Sequence, residues 1–226
     1  MHVPIALGTQ TGGSIVRPAS FNGIFAMKPT WGAISTEGQK VFSEILDTFG
    51  FFVRSVEDLQ LLADVYRLRD DQPPRAFEIQ SSRFGVLKTV QWKHAQRGTI
   101  DAINTATRVL RLHGAIVEEI YLSSNFDNLP LWHKQIMNTD GAVIFYNEYC
   151  TNKDKLPGVL VRYVENQQGY THKDRLDAMD NIARLRPEVD EILGRYTAVI
   201  TPSTPGEAPE GQNTGSPVFN TFWTVG

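Results

Sequence analysis

Between Ser55 and Leu68 the apolar positions Leu59, Leu62, Ala63 and Tyr66 fall three and four apart, the spacing of one helix face. Ser55 stands in front of them as an N-cap hydroxyl, with the Asp58 carboxylate three residues on. The pattern predicts an amphipathic helix over residues 56–68. A second helical run follows Gly98, where Ile100, Ile103, Thr107 and Leu110 share a face and Gly114 is the stop. Residues 129–150 read as mostly helical, with Gly141 as the weak point. Residues 174–193 read as helical too, with Pro187 kinking the run or opening a new helix because it lacks an amide donor, and Gly194 ending it.

The shorter apolar runs predict strands. Residues 3–7 read as a buried strand, residues 24–27 as a brief one closed by Pro29, and residues 83–88 as a third. Residues 115–121 alternate, which puts Ile116 and Ile120 on one face, and Ala198–Ile200 reads as a short buried strand before Thr201-Pro202. Strand, helix and strand across 83–121 is the signature of a βαβ-like unit. Between Ser14 and Gly23 there is room for a short helix. Residues 31–54 have no period and carry three glycines, so they read as a long ordered surface segment. Residues 70–80, with Pro73 and Pro74, form a connector, residues 203–217 a loop, and residues 219–225 a strand-loop element. The expected architecture is α/β, a mixed central sheet flanked by helices, in one domain spanning 1–226.

Composition narrows the functional classes. The 226 residues are 41% hydrophobic and 21% charged, ordinary for a globular chain able to bury a core. With 22 basic against 25 acidic residues and a net charge of -3, nothing predicts a nucleic-acid or anionic-membrane partner. No apolar run approaches the ~20 residues of a membrane span, and the N-terminus lacks a signal-peptide pattern. The single cysteine, Cys150, excludes an internal disulfide, fits a reducing compartment and is expected as a buried filler. A cytoplasmic location is the expectation, with no cofactor and no metal.

The chemistry concentrates in Leu7-Gly8-Thr9-Gln10-Thr11-Gly12-Gly13-Ser14, where an apolar run opens into hydroxyls and glycines. Adjacent glycines let backbone N–H groups turn to one side and form an anion cradle. A serine closing such a loop has its hydroxyl beside those donors, as an acyl-transfer nucleophile requires. A tight Gly-Gly turn capped by serine is the structural alternative. The chain has no phosphate-loop lysine pattern, no Gly-x-Ser-x-Gly elbow, no His-Glu-x-x-His and no paired cysteines. His2, His94, His113, His133 and His172 are widely spaced, and each taken alone reads as structural. A Ser/His/Asp triad on Ser14 stays open, because triad partners are distant in sequence.

The loop and the residues after it resemble the amidase signature family. Residues 8–23 resemble its Gly-Thr-Asp-Thr-Gly-Gly-Ser-Ile-Arg-x-Pro-Ala…Gly block, and Lys28-Pro29-Thr30-x-Gly32 its Lys-Pro-Thr-x-Gly turn. Leu46-Asp47-Thr48-Phe49-Gly50 and Arg54-Ser55-Val56-Glu57-Asp58 resemble its Leu-Asp-Thr-x-Gly and Arg-Ser-Val-x-Asp stretches, and Thr201-Pro202-Ser203 its Thr-Pro strand end. The resemblance implies hydrolysis of a small-molecule carboxamide through an acyl-serine, using a Ser–cis-Ser–Lys arrangement. Ser14 is then the nucleophile, and the backbone N–H groups of Thr11, Gly12, Gly13 and Ser14 the oxyanion hole. The cis-serine and lysine of the family lie upstream of the nucleophile and have no counterpart after Met1, and Lys28 matches the structural turn instead. The expectation is a fragment of an amidase, truncated at the N-terminus and at the C-terminus, inactive or nearly so alone and poorly soluble. Arg17 stands one place later than the family's usual arginine. It either pairs with a substrate carboxylate or serves structure. Gln10 replaces the usual aspartate. Trp31, Phe42, Phe49 and Phe51 line an acyl pocket or belong to the core. Rival readings are the A subunit of a glutamine-hydrolysing amidotransferase, against which Gln10 and weak downstream agreement count, a catalytically dead remnant or binding protein, and an anion-binding module.

Overall fold

β1 (Ala6–Gln10), β2 (Phe25–Met27) and β3 (Thr48–Val53) form an antiparallel sheet in the order β1-β3-β2, with Gly8 opposite Gly50 and Met27 opposite Phe51. The computed structural model describes residues 3–69 and 77–225, so most of the expected connector at 70–80 lies outside the described residues. β3 runs through the segment expected to be a surface loop. Phe51 and Val53 are fully buried while Thr48 and Gly50 are buried on the other face, so the strand shows no alternation for a period of two to reveal. β1 begins later than residues 3–7, and among the described strands it pairs only with β3. On this edge strand Leu7 is 56% exposed, and Val3 and Ile5 ahead of it are 52% and 36% exposed, against the buried strand expected there.

α1 (Val16–Asn22) leads from the glycine loop into β2 and stops at Gly23, whose φ of 60° is the left-handed cap that glycine adopts without strain. α2 (Val56–Val65) starts as expected, with the Ser55 hydroxyl accepting from the Asp58 amide at 3.1 Å, and ends three residues before the predicted boundary. Leu62 packs its apolar stripe onto Phe51 and Val53.

The second sheet is parallel, in the order β5-β4-β6: β4 (Arg83–Leu87), β5 (Ile116–Ile120) and β6 (Ala198–Ile200). α3 (Arg97–Leu112) crosses from β4 to β5 and completes the βαβ unit. Ile103 of α3 packs with Phe84, Val86 and Val117. Ile120 is buried but Ile116 is 49% exposed, so the expected Ile116/Ile120 face does not form. β5 is the sheet edge, and Val117 and Ile120 are its inward residues. β6 is likewise half-buried at best.

A helical layer joins the two sheets. α4 (Leu129–Ile144) breaks at Phe145 before α5 (Tyr146–Asn152), not at Gly141, which sits in the last helical turn where a Cβ would meet the Phe42 ring at 3.0 Å. Cys150 is exposed on α5, against the expected filler. α6 (Gly158–Val164) follows, then α7 (His172–Leu193), one 22-residue helix that continues through Pro187. Burial of Ala178, Ile182 and Val189 on the inner face offsets the backbone hydrogen bond that proline removes. The expected strand-loop element at 219–225 is α8 (Thr221–Val225), and the buried residues Phe219, Phe222 and Val225 recur every third position. Leu129, Ile136, Ile182, Phe222 and Val225 belong to the largest core cluster. Each such side chain contributes about 1.5–3 kcal/mol by leaving water.

Candidate active site

The loop at 11–14 connects β1 to α1 and is held from three directions. The His133 Nε2 of α4 donates to the Thr11 carbonyl at 2.7 Å. A carbonyl only accepts, so Nε2 carries the hydrogen. The Thr224 hydroxyl of α8 donates to the Gly12 carbonyl at 2.9 Å, and the Arg17 amide donates to the Gly13 carbonyl at 3.0 Å. From the β3 side, Asp47 accepts the Thr11 hydroxyl at 2.5 Å on one oxygen and the Phe42 amide at 2.6 Å on the other. With the loop carbonyls engaged, the Thr11, Gly12, Gly13 and Ser14 amides have no acceptor among the described residues. Ser14 is exposed at the end of the loop, and its hydroxyl bonds to no described residue. Gly13 is required by space, since a Cβ there would lie 2.4 Å from Asn220 Oδ1.

Gln10, 1% exposed, has a local role. Its side-chain oxygen accepts from the Ile15 and Val16 amides at 2.9 and 3.2 Å, and its Nε2 donates to the Thr224 hydroxyl at 3.4 Å. It takes the amides just beyond the loop and leaves those of 11–14 alone. A neutral amide supplies an acceptor and a donor where a carboxylate supplies acceptors only.

Beside the loop lies a cleft of about 710 Å³, lined by Gln10, Lys28, Trp31, Arg186, Ser203 and Asn220 among others. Ser14 is not among its lining residues. Burial holds the Lys28 ammonium below its ordinary pKa, and its Nζ donates to the Pro29 carbonyl at 3.1 Å, as a residue of the turn. Of the four aromatic candidates only Trp31 lines the cleft. Phe42 packs edge-on against Phe145 and Tyr163, and Phe49 and Phe51 pack against Tyr66. Arg17 does not line the cleft either. It is buried, burial lowers its pKa, and its Nε has no partner among the described residues. His133 is fully enclosed. Desolvation pushes its pKa down, and the bond to Thr11 opposes the shift only in part.

Three residues that shape the loop were not singled out in the sequence as site residues. Asp47 lies inside a recognised motif, but nothing in that motif shows what it binds. His133 is a lone histidine on a helix. Thr224 falls in a stretch that reads as strand and loop.

The Amidase family model matches residues 1–224 of the chain. The chain belongs to the amidase family. Its curated relatives include the A subunit of glutamyl-tRNA(Gln) amidotransferase from Carboxydothermus hydrogenoformans, 27% identical over 251 residues that take in 95% of this chain and 52% of that protein. The protein of the same name from Roseiflexus castenholzii is 33% identical, over 86% of this chain and 40% of its own length. The crystal structure of an amidase superposes with a TM-score of 0.84 over 98% of this chain and 53% of the other, at 24% identity, a likeness of fold. The amidase chain thus spans about half the length of the curated relatives it matches. Among its described residues no helix is long and apolar enough to cross a membrane, and no three His, Cys, Asp or Glu side chains group as a metal site.

Proposed function

We propose that this amidase chain carries the acyl-accepting half of an active site that hydrolyses a small-molecule carboxamide, with Ser14 as nucleophile. The observation behind this reading is the pairing of an exposed serine with a run of backbone amides, 11–14, that have no acceptor among the described residues while the intervening carbonyls are tied down. In the addition step the Ser14 oxygen bonds to the amide carbon, its proton passes to a base that later hands it to the departing amine, and the carbonyl oxygen takes up negative charge. Fixed N–H donors stabilise that charge without reorganising, and each is typically worth about 3 kcal/mol of barrier. Expulsion of the amine leaves an acyl-serine, which water then hydrolyses. Ser14 is not hydrogen-bonded to any lysine, histidine or carboxylate among the described residues. A serine hydroxyl without a base is a weak nucleophile at neutral pH. Turnover therefore requires a base that the described residues do not bring to it, and the chain alone is expected to acylate slowly and to turn over little.

An activated ester tests this, because its leaving group needs little help from a base. After incubation with p-nitrophenyl acetate, mass spectrometry is expected to find the acetyl group on Ser14, and to find none in the Ser14→Ala chain. Label on other residues with Ser14 free overturns the assignment. Rapid Ser14-dependent hydrolysis of a simple amide overturns the need for an outside base. A second reading takes glutamine as the carboxamide, favoured by the curated relatives named as amidotransferase A subunits. Reconstituted activity on glutamine but not on simple amides would select it.

A further inference from the structure

We propose that His133 and Thr224 are positioning residues of the cradle, setting the directions of the Gly12 and Gly13 N–H groups through the carbonyls on the far side of each peptide. The inference rests on the reading of Ser14 as acyl acceptor. A trans peptide is planar, with its C=O and N–H pointing in opposite directions. A donor that fixes one end therefore fixes the other. His133 Nε2 holds the Thr11 carbonyl, which belongs to the same peptide as the Gly12 N–H. Thr224 Oγ1 holds the Gly12 carbonyl, which shares its peptide with the Gly13 N–H. The Arg17 amide does the same for the Ser14 N–H through the Gly13 carbonyl.

Two of the three donors come from α4 and α8, which pack against each other and bury Leu129, Ile136, Phe222 and Val225 in one cluster. The Thr11 and Gly12 carbonyls therefore face this helical layer, and the Gly12 and Gly13 N–H groups face away from it. Glycine alone imposes no such choice, since it adopts either peptide orientation readily. The direction comes from donors more than 100 residues away. The His133 ring also lies close enough to the loop that a Cβ on Gly12 would sit 3.4 Å from its Cε1. Thr224 is braced in turn by the Gln10 amide at 3.4 Å, and its hydroxyl lies 3.2 Å from the Asn220 carbonyl, an alternative acceptor for its one proton.

The test compares the full chain with H133L, which keeps bulk and removes the donor, H133Q, whose Nε2 keeps a donor, and T224V, which keeps shape and removes the hydroxyl. Residual dipolar couplings of the isotope-labelled chain report the N–H directions at Gly12 and Gly13, with α7 as the reference for an intact fold. H133L is expected to change the Gly12 coupling and T224V the Gly13 coupling, while H133Q and all α7 couplings stay as in the parent. Ester acylation of Ser14 is expected to slow roughly ten- to a hundredfold in H133L and T224V and to recover in H133Q. If H133L loses the α7 pattern, T224V decides. Unchanged Gly12 and Gly13 couplings in H133L and T224V overturn the proposal, even if Ser14 is acylated. Couplings that move as expected in a chain whose Ser14 never acylates leave the positioning standing and refute the acyl-transfer reading.

Discussion

Gly13→Ala isolates the demand that the loop places on its neighbours. The added Cβ would lie 2.4 Å from Asn220 Oδ1, 2.9 Å from its Cγ and 3.1 Å from its Cβ. Rotating the amide relieves only the first of these, so the whole side chain must move. Asn220 is 2% exposed, and the turn that carries it is bonded at 2.8 Å from its own amide to the Pro217 carbonyl, which resists a backbone shift. Overpacking of this kind costs about 1–3 kcal/mol. For a chain of this size that lowers the melting temperature by roughly 2–12 °C. Asn220→Ala removes the two nearest of these atoms and leaves only the Cβ at 3.1 Å, and because Oδ1 has no partner among the described residues its loss leaves no donor deprived. The double variant is expected to recover at least about 1 kcal/mol relative to the sum of the single changes. Urea denaturation of the four chains measures that coupling. A Gly13→Ala chain within about 0.5 kcal/mol of the parent, or strictly additive changes, refutes the reasoning.

Asp140 accepts from Arg175 Nε at 2.5 Å and from the Ser43 hydroxyl at 2.5 Å, with its side chain 9% exposed. Asp140→Ala strands a largely buried guanidinium and is expected to cost about 3 kcal/mol in urea unfolding, whereas Lys173→Ala, on a solvent-exposed pair, is expected to leave the urea midpoint where it is. Burial lowers the His133 pKa, so as pH falls the unfolded chain takes the proton first, and the contribution is full above about pH 6.5 and lost as pH falls through it. Urea midpoints at pH 7.5 and 5.5 are expected to fall further in the parent than in His133→Gln, and equal falls would refute the sign. Leu7→Thr on the exposed edge strand is expected to reduce light scattering at high concentration with stability unchanged within about 0.5 kcal/mol, and equal scattering would refute the edge as the source.

Helices with one wet face were legible, because α2 and α3 carry their period and their stops in the sequence. β3 was not, because a strand buried on both faces has no alternation to read. α8 was not, because five residues are too few to establish a period. For the candidate site, two small residues and a hydroxyl in fixed order left a capped turn and an anion cradle both open, and the ordered resemblance beyond them is what singled out Ser14. The partners that shape the loop were hidden for a different reason. His133, Thr224 and Asp47 act through single bonds to backbone or hydroxyl across the fold, and no spacing rule announces such a bond. Cys150 and Ile116 show the same limit from the other side, since residue type suggested burial that the edge of the fold does not supply.

Gln10 and Thr224 meet across 214 positions. During synthesis the loop therefore leaves the ribosome long before α8 does, and waits for that helix before its last brace exists. Relative to the 36-residue loop closed by Thr11 and Asp47, closing this one costs about 1.6 kcal/mol more in chain entropy. The Asp47 clasp can form early in elongation, and the Thr224 clasp only once α8 has been made. A nascent chain cut short before α8 can thus build both sheets and most of the helical layer and still lack the hydroxyl that braces Gly12.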